Sequence, residues 1–167
     1  WLQQGESEST KIIVGDKDFK TIAENTINQI VPYIKAKMAS LYVFDEDRGE
    51  LIHTASSNNG SLKINIENIK LGENLIGQAA VEKKIICLDR LPANYIVSQL
   101  ADGDEPENLI IIPLISNGLI MGVIEIISKN EITSLTQNLL KSISGSIAIA
   151  IQSSKNRQKI NQLLIHT

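Results

Sequence analysis

At 167 residues the chain is long enough for one domain with a substantial core, and 43% hydrophobic with 21% charged residues is ordinary for a globular protein. A net charge of −3 and an aromatic content of 4% leave neither the electrostatic footprint nor the stacking platforms of a nucleic-acid binder, and give no sign of a membrane-surface partner. Cys87 is the only cysteine, so no internal disulfide and no multi-cysteine zinc site can form, which fits a reducing, cytoplasmic compartment.

The N-terminus carries no basic-then-apolar signal segment and opens on Trp1, so the chain reads as a piece of a longer polypeptide. Residues 1–15 mix polar residues with Ile12, Ile13 and Val14 and read as a linker or the end of an upstream helix. From residue 16 the pattern turns helical. Phe19, Ile22, Ala23, Ile27, Ile30, Val31 and Ile34 recur at three- and four-residue spacings, Asp16 suits an N-cap, and Asp18 suits the positive end of the helix dipole. Pro32 removes a backbone donor, so a kink or an ending is expected soon after it.

Residues 39–44 and 50–55 read as two strands joined by an acidic loop that ends in Gly49. A turn at Asn58-Asn59-Gly60 leads into Leu62, Ile64 and Ile66, which alternate with Lys63, Asn65 and Glu67 as in a half-exposed edge strand. Residues 72–81 read as a short helix, 85–88 as a brief strand, 94–100 as a second short helix and 101–107 as an acidic loop.

Two apolar runs then flank Ser116-Asn117-Gly118. Asn-Gly predicts a tight hairpin turn, because both residues tolerate positive φ. Neither run alternates with polar residues, so both faces of these strands are expected to be covered. Glu125 is the polar exception within the second run. Pro113, the turn and Glu125 together break the window too often for a membrane span.

Ser134-x-x-Gln137 resembles a capping box and opens a helix to about residue 165, ~45 Å long at ~1.5 Å per residue. Up to Ile151 this helix is apolar almost all round; residues 152–162 turn polar, with Ile160, Leu163 and Leu164 as a narrow seam. Such a stripe suits a coiled coil, the alternative being a frayed tail.

Three segments carry a resemblance to a known family. They are Gly72-Glu-Asn-Leu-Ile-Gly-Gln-Ala-Ala, Leu91-Pro-Ala-Asn-Tyr-Ile-Val-Ser, and Ile112-Pro-Leu followed by Gly118-Leu-Ile-Met-Gly-Val-Ile-Glu-Ile-Ile-Ser. With the terminal Ile147-Ala-Ile-Ala-Ile151, their order and spacing resemble a GAF domain of a bacterial signalling protein, similar to those preceding histidine-kinase or chemotaxis-receptor output regions. The resemblance covers residues 16–152, leaving 153–167 as the start of a coiled-coil signalling helix. It implies an α+β, PAS-related fold with a central antiparallel sheet of about six strands. Terminal helices lie on one face and short helices close a pocket on the other. It further implies a homodimer through the N- and C-terminal helices, a small-molecule ligand, and a downstream output domain in the same chain.

The candidate chemistries thin out quickly. Gly72-x-x-x-x-Gly77 has phosphate-loop glycine spacing, but Gln78-Ala79 stands where Lys-Ser/Thr is required. His53 and His166 lie far apart with Cys87 alone, which offers no transition-metal set, and residues 102–107 do not follow the calcium-loop pattern. Related methionine sulfoxide reductases use several cysteines, and one cannot both attack and be resolved internally. Bilin-binding relatives pair a cysteine with a histidine, and Cys87 is followed by Leu88; haem-binding relatives need an axial histidine, for which His53 is the candidate; the signature of cyclic-nucleotide relatives is missing.

Non-covalent binding of an unidentified small molecule remains, with no cofactor and no catalytic activity expected of the domain itself. By strand alternation Met121, Val123, Glu125 and Ile127 share one face, with Ile120, Gly122, Ile124 and Ile126 on the other. The all-apolar face should meet the terminal helices and Glu125 the pocket. Tyr42 joins the pocket floor, Tyr95 and Ser98 come from the closing helix, and Cys87 from its adjacent strand. The competing reading makes Tyr42 and Tyr95 core packing and gives Glu125 a salt bridge, in a ligand-free spacer module that only dimerises.

Overall fold

The computed structural model describes residues 16–58, 68–92 and 108–165. The chain runs α1 (Asp16–Ile34), β1 (Ala36–Asp45), β2 (Glu50–Asn58), β3 (Ile69–Lys70), α2 (Asn74–Glu82), β4 (Ile86–Leu88), β5 (Asn108–Ser116), β6 (Leu119–Ser128) and α3 (Ser134–Ile165). The sheet has six strands in the order β3-β2-β1-β6-β5-β4, and every pairing is antiparallel. This is the α+β architecture expected from the sequence. The expected strand over residues 62–66, the helix over 94–100 and the acidic loop lie outside the described residues, and with them Tyr95 and Ser98.

Local chemistry accounts for the boundaries. Helix α1 carries Pro32 two residues before its end at Ile34, and Lys35 turns the chain with a positive φ. Asn117 and Gly118 both take positive φ (53° and 75°), as the tight hairpin turn between β5 and β6 requires. Pro113 sits in β5 opposite Val123, beyond the stretch Leu109–Ile111 that β4 covers, so its missing N–H interrupts no β4 ladder bond. The cap of α3 is one residue earlier than expected. Thr133 Oγ1 accepts from the Thr136 amide at 3.2 Å and meets Thr136 Oγ1 at 3.0 Å, while Gln137 donates its amide to the Thr133 carbonyl.

Two apolar layers sandwich the sheet. On one face Ala23, Ile27, Ile30 and Val31 of α1 and Leu140, Ile147, Ala148 and Ile151 of α3 pack on Ala39, Leu41, Ile110, Ile112, Ile124 and Ile126. On the other, Ile76, Ala79 and Ala80 of α2 pack with Met38, Tyr42, Leu51, Leu109, Ile111, Val123 and Ile127. The terminal helices therefore take the all-apolar side and the short helix takes the Glu125 side.

Strand alternation fails at one place in the expected assignment. Met121 packs with the terminal helices and Ile120 with the α2 layer, the reverse of the sequence-based expectation. The ladder steps from Leu114↔Gly122 to Ile115↔Ile120, so Met121 is the extra residue of a bulge, and side-chain direction inverts across it. Gly122 beside the bulge is a close approach: a Cβ there would run into the Tyr42 carbonyl oxygen and meet Leu114 Cδ1 at 3.3 Å.

Helix α3 is tied to both hairpin tips at one level. Gln152 Oε1 accepts from Ser116 Oγ and from Asn117 Nδ2. One turn on, Lys155 Nζ donates to the Phe44 carbonyl at 2.6 Å and to Glu46 Oε1 at 2.8 Å, with its side chain buried. Beyond this clamp Ile160, Leu163 and Leu164 are exposed.

Candidate functional site

The α2-covered face carries a row of polar side chains in an apolar surround. Glu125 stands on β6 directly opposite Ser40 on β1 and Ile111 on β5, and Ser40 in turn stands opposite Ser56 on β2. In the next row Tyr42 is flanked by His53 on β2 and Val123 on β6. Directly opposed residues place their Cβ atoms ~4.5–5.5 Å apart. Ser40 and Glu125 are thus immediate neighbours, and His53 lies one row away, one strand from Ser40 and two from Glu125.

Tyr42 and His53 meet edge to face, ring centroids 5.4 Å apart. A shift in the β1–β2 register between Leu41 and Tyr42 brings His53 to this face, while Ala55, two residues on, joins the α1 layer.

Ser40 and Glu125 are buried at a cost, and His53 is half-buried. Ser40 has 0% exposure and Glu125 5%. Among the described residues, Ser40 Oγ and His53 Nε2 find no hydrogen-bond partner, although native folds almost always satisfy such atoms. Burial pushes the Glu125 carboxyl from its ordinary 4.5 up to about 7, and among the described residues no lysine or arginine pairs with it. The salt bridge weighed for Glu125 is thus not formed among the described residues. Burial, and secondarily the Glu125 charge, raises the Tyr42 phenol above its usual range. Burial lowers His53, which favours the neutral ring at pH 7.

Cys87 departs from the expectation. It pairs with Ile110, whose side chain is in the terminal-helix layer, and its Sγ faces Gln137 Nε2 of α3 at 3.5 Å. In the three-residue strand β4 it is Ile86 and Leu88 that point to the Glu125 side. Cys87 and His53 lie on opposite faces and four strands apart, so the cysteine–histidine pair of bilin-binding relatives cannot assemble here.

The glycine-spaced loop also resolves. The Gly72 amide donates to the Gly77 carbonyl, and the Gly77 amide to the carbonyl of Glu73 and to Asn74 Oδ1. The amides that would cradle a phosphate are spent closing the turn into α2. Among the described residues, no three His, Cys, Asp or Glu side chains converge on a metal site, and no helix is long and apolar enough to cross a membrane.

Sequence reasoning placed Tyr42 and Glu125 on this face and missed Ser40 as a site residue. The available signal was a lone hydroxyl in the buried run of β1, opposite the lone carboxylate of β6. His53 drew notice as a metal or haem ligand candidate and not as part of this pocket.

Comparison with known proteins agrees with this architecture. The GAF domain family model matches residues 16–152. The GAF domain of an Acinetobacter phosphoenolpyruvate-protein phosphotransferase is similar in fold at TM-score 0.68 and 16% identity, over 93% of this chain and 92% of that one. The second GAF domain of DevS from Mycobacterium smegmatis is similar at TM-score 0.66 and 16% identity, over 84% and 97%. A type II free methionine-R-sulfoxide reductase from Thermoplasma acidophilum is similar at TM-score 0.65 and 19% identity, over 83% and 96%. Curated proteins give no match. The chain belongs to the GAF domain family, whose members are regulatory sensor domains.

Proposed function

We propose that this chain is the sensory domain of a bacterial signalling protein, binding a small molecule non-covalently on the Glu125 face. The observation that carries this reading is the polar set Ser40, His53 and Glu125, two of whose atoms are buried with no partner among the described residues. A fold spends stability on such groups where something else meets them. The role is regulatory, and thiol chemistry has no part in it, because the one thiol lies on the opposite face of the sheet.

Transmission runs through the terminal helices of a cytoplasmic, parallel homodimer into an output domain of the same polypeptide, such as a histidine kinase of a two-component system. The clamp at Gln152 and Lys155 supports this route, since it ties both hairpin tips to α3 where the helix leaves the sheet. The exposed Ile160, Leu163 and Leu164 beyond it supply a seam of coiled-coil type.

A thermal-shift screen against a metabolite panel, with titration calorimetry of the hits, tests the ligand half. At least one metabolite should bind the wild type and lose affinity on Glu125→Gln or Ser40→Ala. No binding across the panel, with protein side chains filling the Glu125 face, would favour the ligand-free spacer. Sedimentation at tens of micromolar tests the dimer, and a strict monomer when the chain is extended past Thr167 would count against it.

A further inference from the structure

Resting on the ligand-binding reading above, we propose that the Glu125 face takes a small organic cation. The ligand class is a protonated amine or an amidine on an apolar or aromatic body, its N–H groups bonding the Glu125 carboxylate and the Ser40 hydroxyl.

Three observations narrow the class. First, Glu125 is a buried carboxylate, and among the described residues no lysine or arginine pairs with it. Among the described residues, the other titratable groups on this face are Tyr42 from β1 and His53 from β2, and their environments keep both uncharged near pH 7. From β5 and α2 the packed residues are apolar: Leu109, Ile111, Ile76, Ala79 and Ala80. An anion entering here meets a like charge in a low dielectric, and a purely apolar ligand leaves the polar groups unmet.

Second, Ser40 lies directly across the ladder from Glu125, and among the described residues its hydroxyl has no partner. An ammonium or amidinium presents two or three N–H donors from one centre, enough to reach acceptors on adjacent strands ~4.5–5.5 Å apart at Cβ. Third, Met38, Val123 and Ile127 surround the polar pair. They give a carbon body something to bury against, which a bare inorganic ion does not use.

Ligand entry also has a proton consequence. A carboxyl pushed up to about 7 holds a proton in part at neutral pH. The cation takes that proton's place, so binding releases a fraction of a proton and tightens from pH 6 to pH 8.

The test is titration calorimetry at pH 7.5 with five probes of one shape: benzylammonium and benzamidine as cations, benzyl alcohol and benzamide as neutrals, benzoate as the anion. The two cations should bind and benzoate should not. Glu125→Gln should weaken the cations at least ten-fold and Ser40→Ala several-fold. Running the cations in buffers of different ionisation enthalpy should show proton release by the wild type and none by Glu125→Gln. Glu125→Gln keeps side-chain size and removes a buried charge, so its circular dichroism and unfolding curve separate lost binding from lost folding. Equal binding of neutrals or anion, or an unchanged cation affinity in Glu125→Gln, overturns the cation assignment and leaves the ligand site standing. Failure of all five probes, together with an empty metabolite screen, overturns both.

Discussion

Replacing Glu125 by Gln should stabilise the domain at neutral pH, and the gain should depend on pH in a defined direction. Burial raises the folded-state carboxyl from 4.5 to about 7. Each pKa unit is ~1.4 kcal/mol, so ionising this group in the fold costs about 3 kcal/mol relative to ionising it in the unfolded chain. The folded state holds the proton more tightly, so stability falls as pH rises from the unfolded to the folded value. Below about 4.5 the group is protonated in both states and the penalty vanishes; above about 7 the penalty is complete. Gln is neutral throughout. The difference in unfolding free energy, variant minus wild type, should therefore grow from near zero at pH 4.5 to about 3 kcal/mol at pH 8. His53 acts in the opposite sense, because burial lowers its pKa and the unfolded chain binds its proton more readily. That contribution is common to both proteins and drops out of the difference. Urea denaturation followed by circular dichroism over this pH range is the assay. A difference that stays flat from pH 5 to 8 would refute the reasoning, because it would mean Glu125 ionises as easily in the fold as in water.

Other substitutions probe the scaffold. Lys155→Ala should cost about 2–3 kcal/mol, since it leaves the Phe44 carbonyl and the hairpin end without their buried donor, whereas Glu46→Gln at the exposed end should cost under about 1 kcal/mol. Gly122→Ala should destabilise by about 2–4 kcal/mol or force β6 off β1, seen as a lowered melting temperature, because the added methyl runs into the Tyr42 carbonyl. Thr133→Ala should cost about 1 kcal/mol and Ser134→Ala less than about 0.5 kcal/mol, which separates the observed cap from the one the sequence suggests.

How far the sequence could be read depended on how local each signal was. Asn117-Gly118 carries its own turn chemistry, so the β5–β6 hairpin and its double burial follow from a few residues. The long apolar periodicities of α1 and α3 likewise placed the terminal helices on the side away from Glu125. Alternation placed Tyr42 and Glu125 correctly because no bulge falls between Gly122 and Ile127. The same rule failed at Met121, where a single extra residue in a ladder leaves no mark in an all-apolar run. Cys87 was misplaced because a three-residue edge strand has no alternation to read, and its register against Ile110 is set by β5. Ser40 and His53 escaped for a related reason. Their importance comes from cross-strand neighbours, a long-range property fixed by register and by the shift at Leu41/Tyr42. At Thr133 two overlapping cap patterns compete, and the sequence favours neither.

The most direct test of the central claim is a crystal structure of the domain with the strongest binder from the metabolite screen. Density is expected on the α2-covered face, with donors on the Glu125 carboxylate and Ser40 Oγ, and a further contact at His53 Nε2. A ligand seated elsewhere, or a face filled by protein side chains that bond Ser40 and His53 themselves, would contradict it.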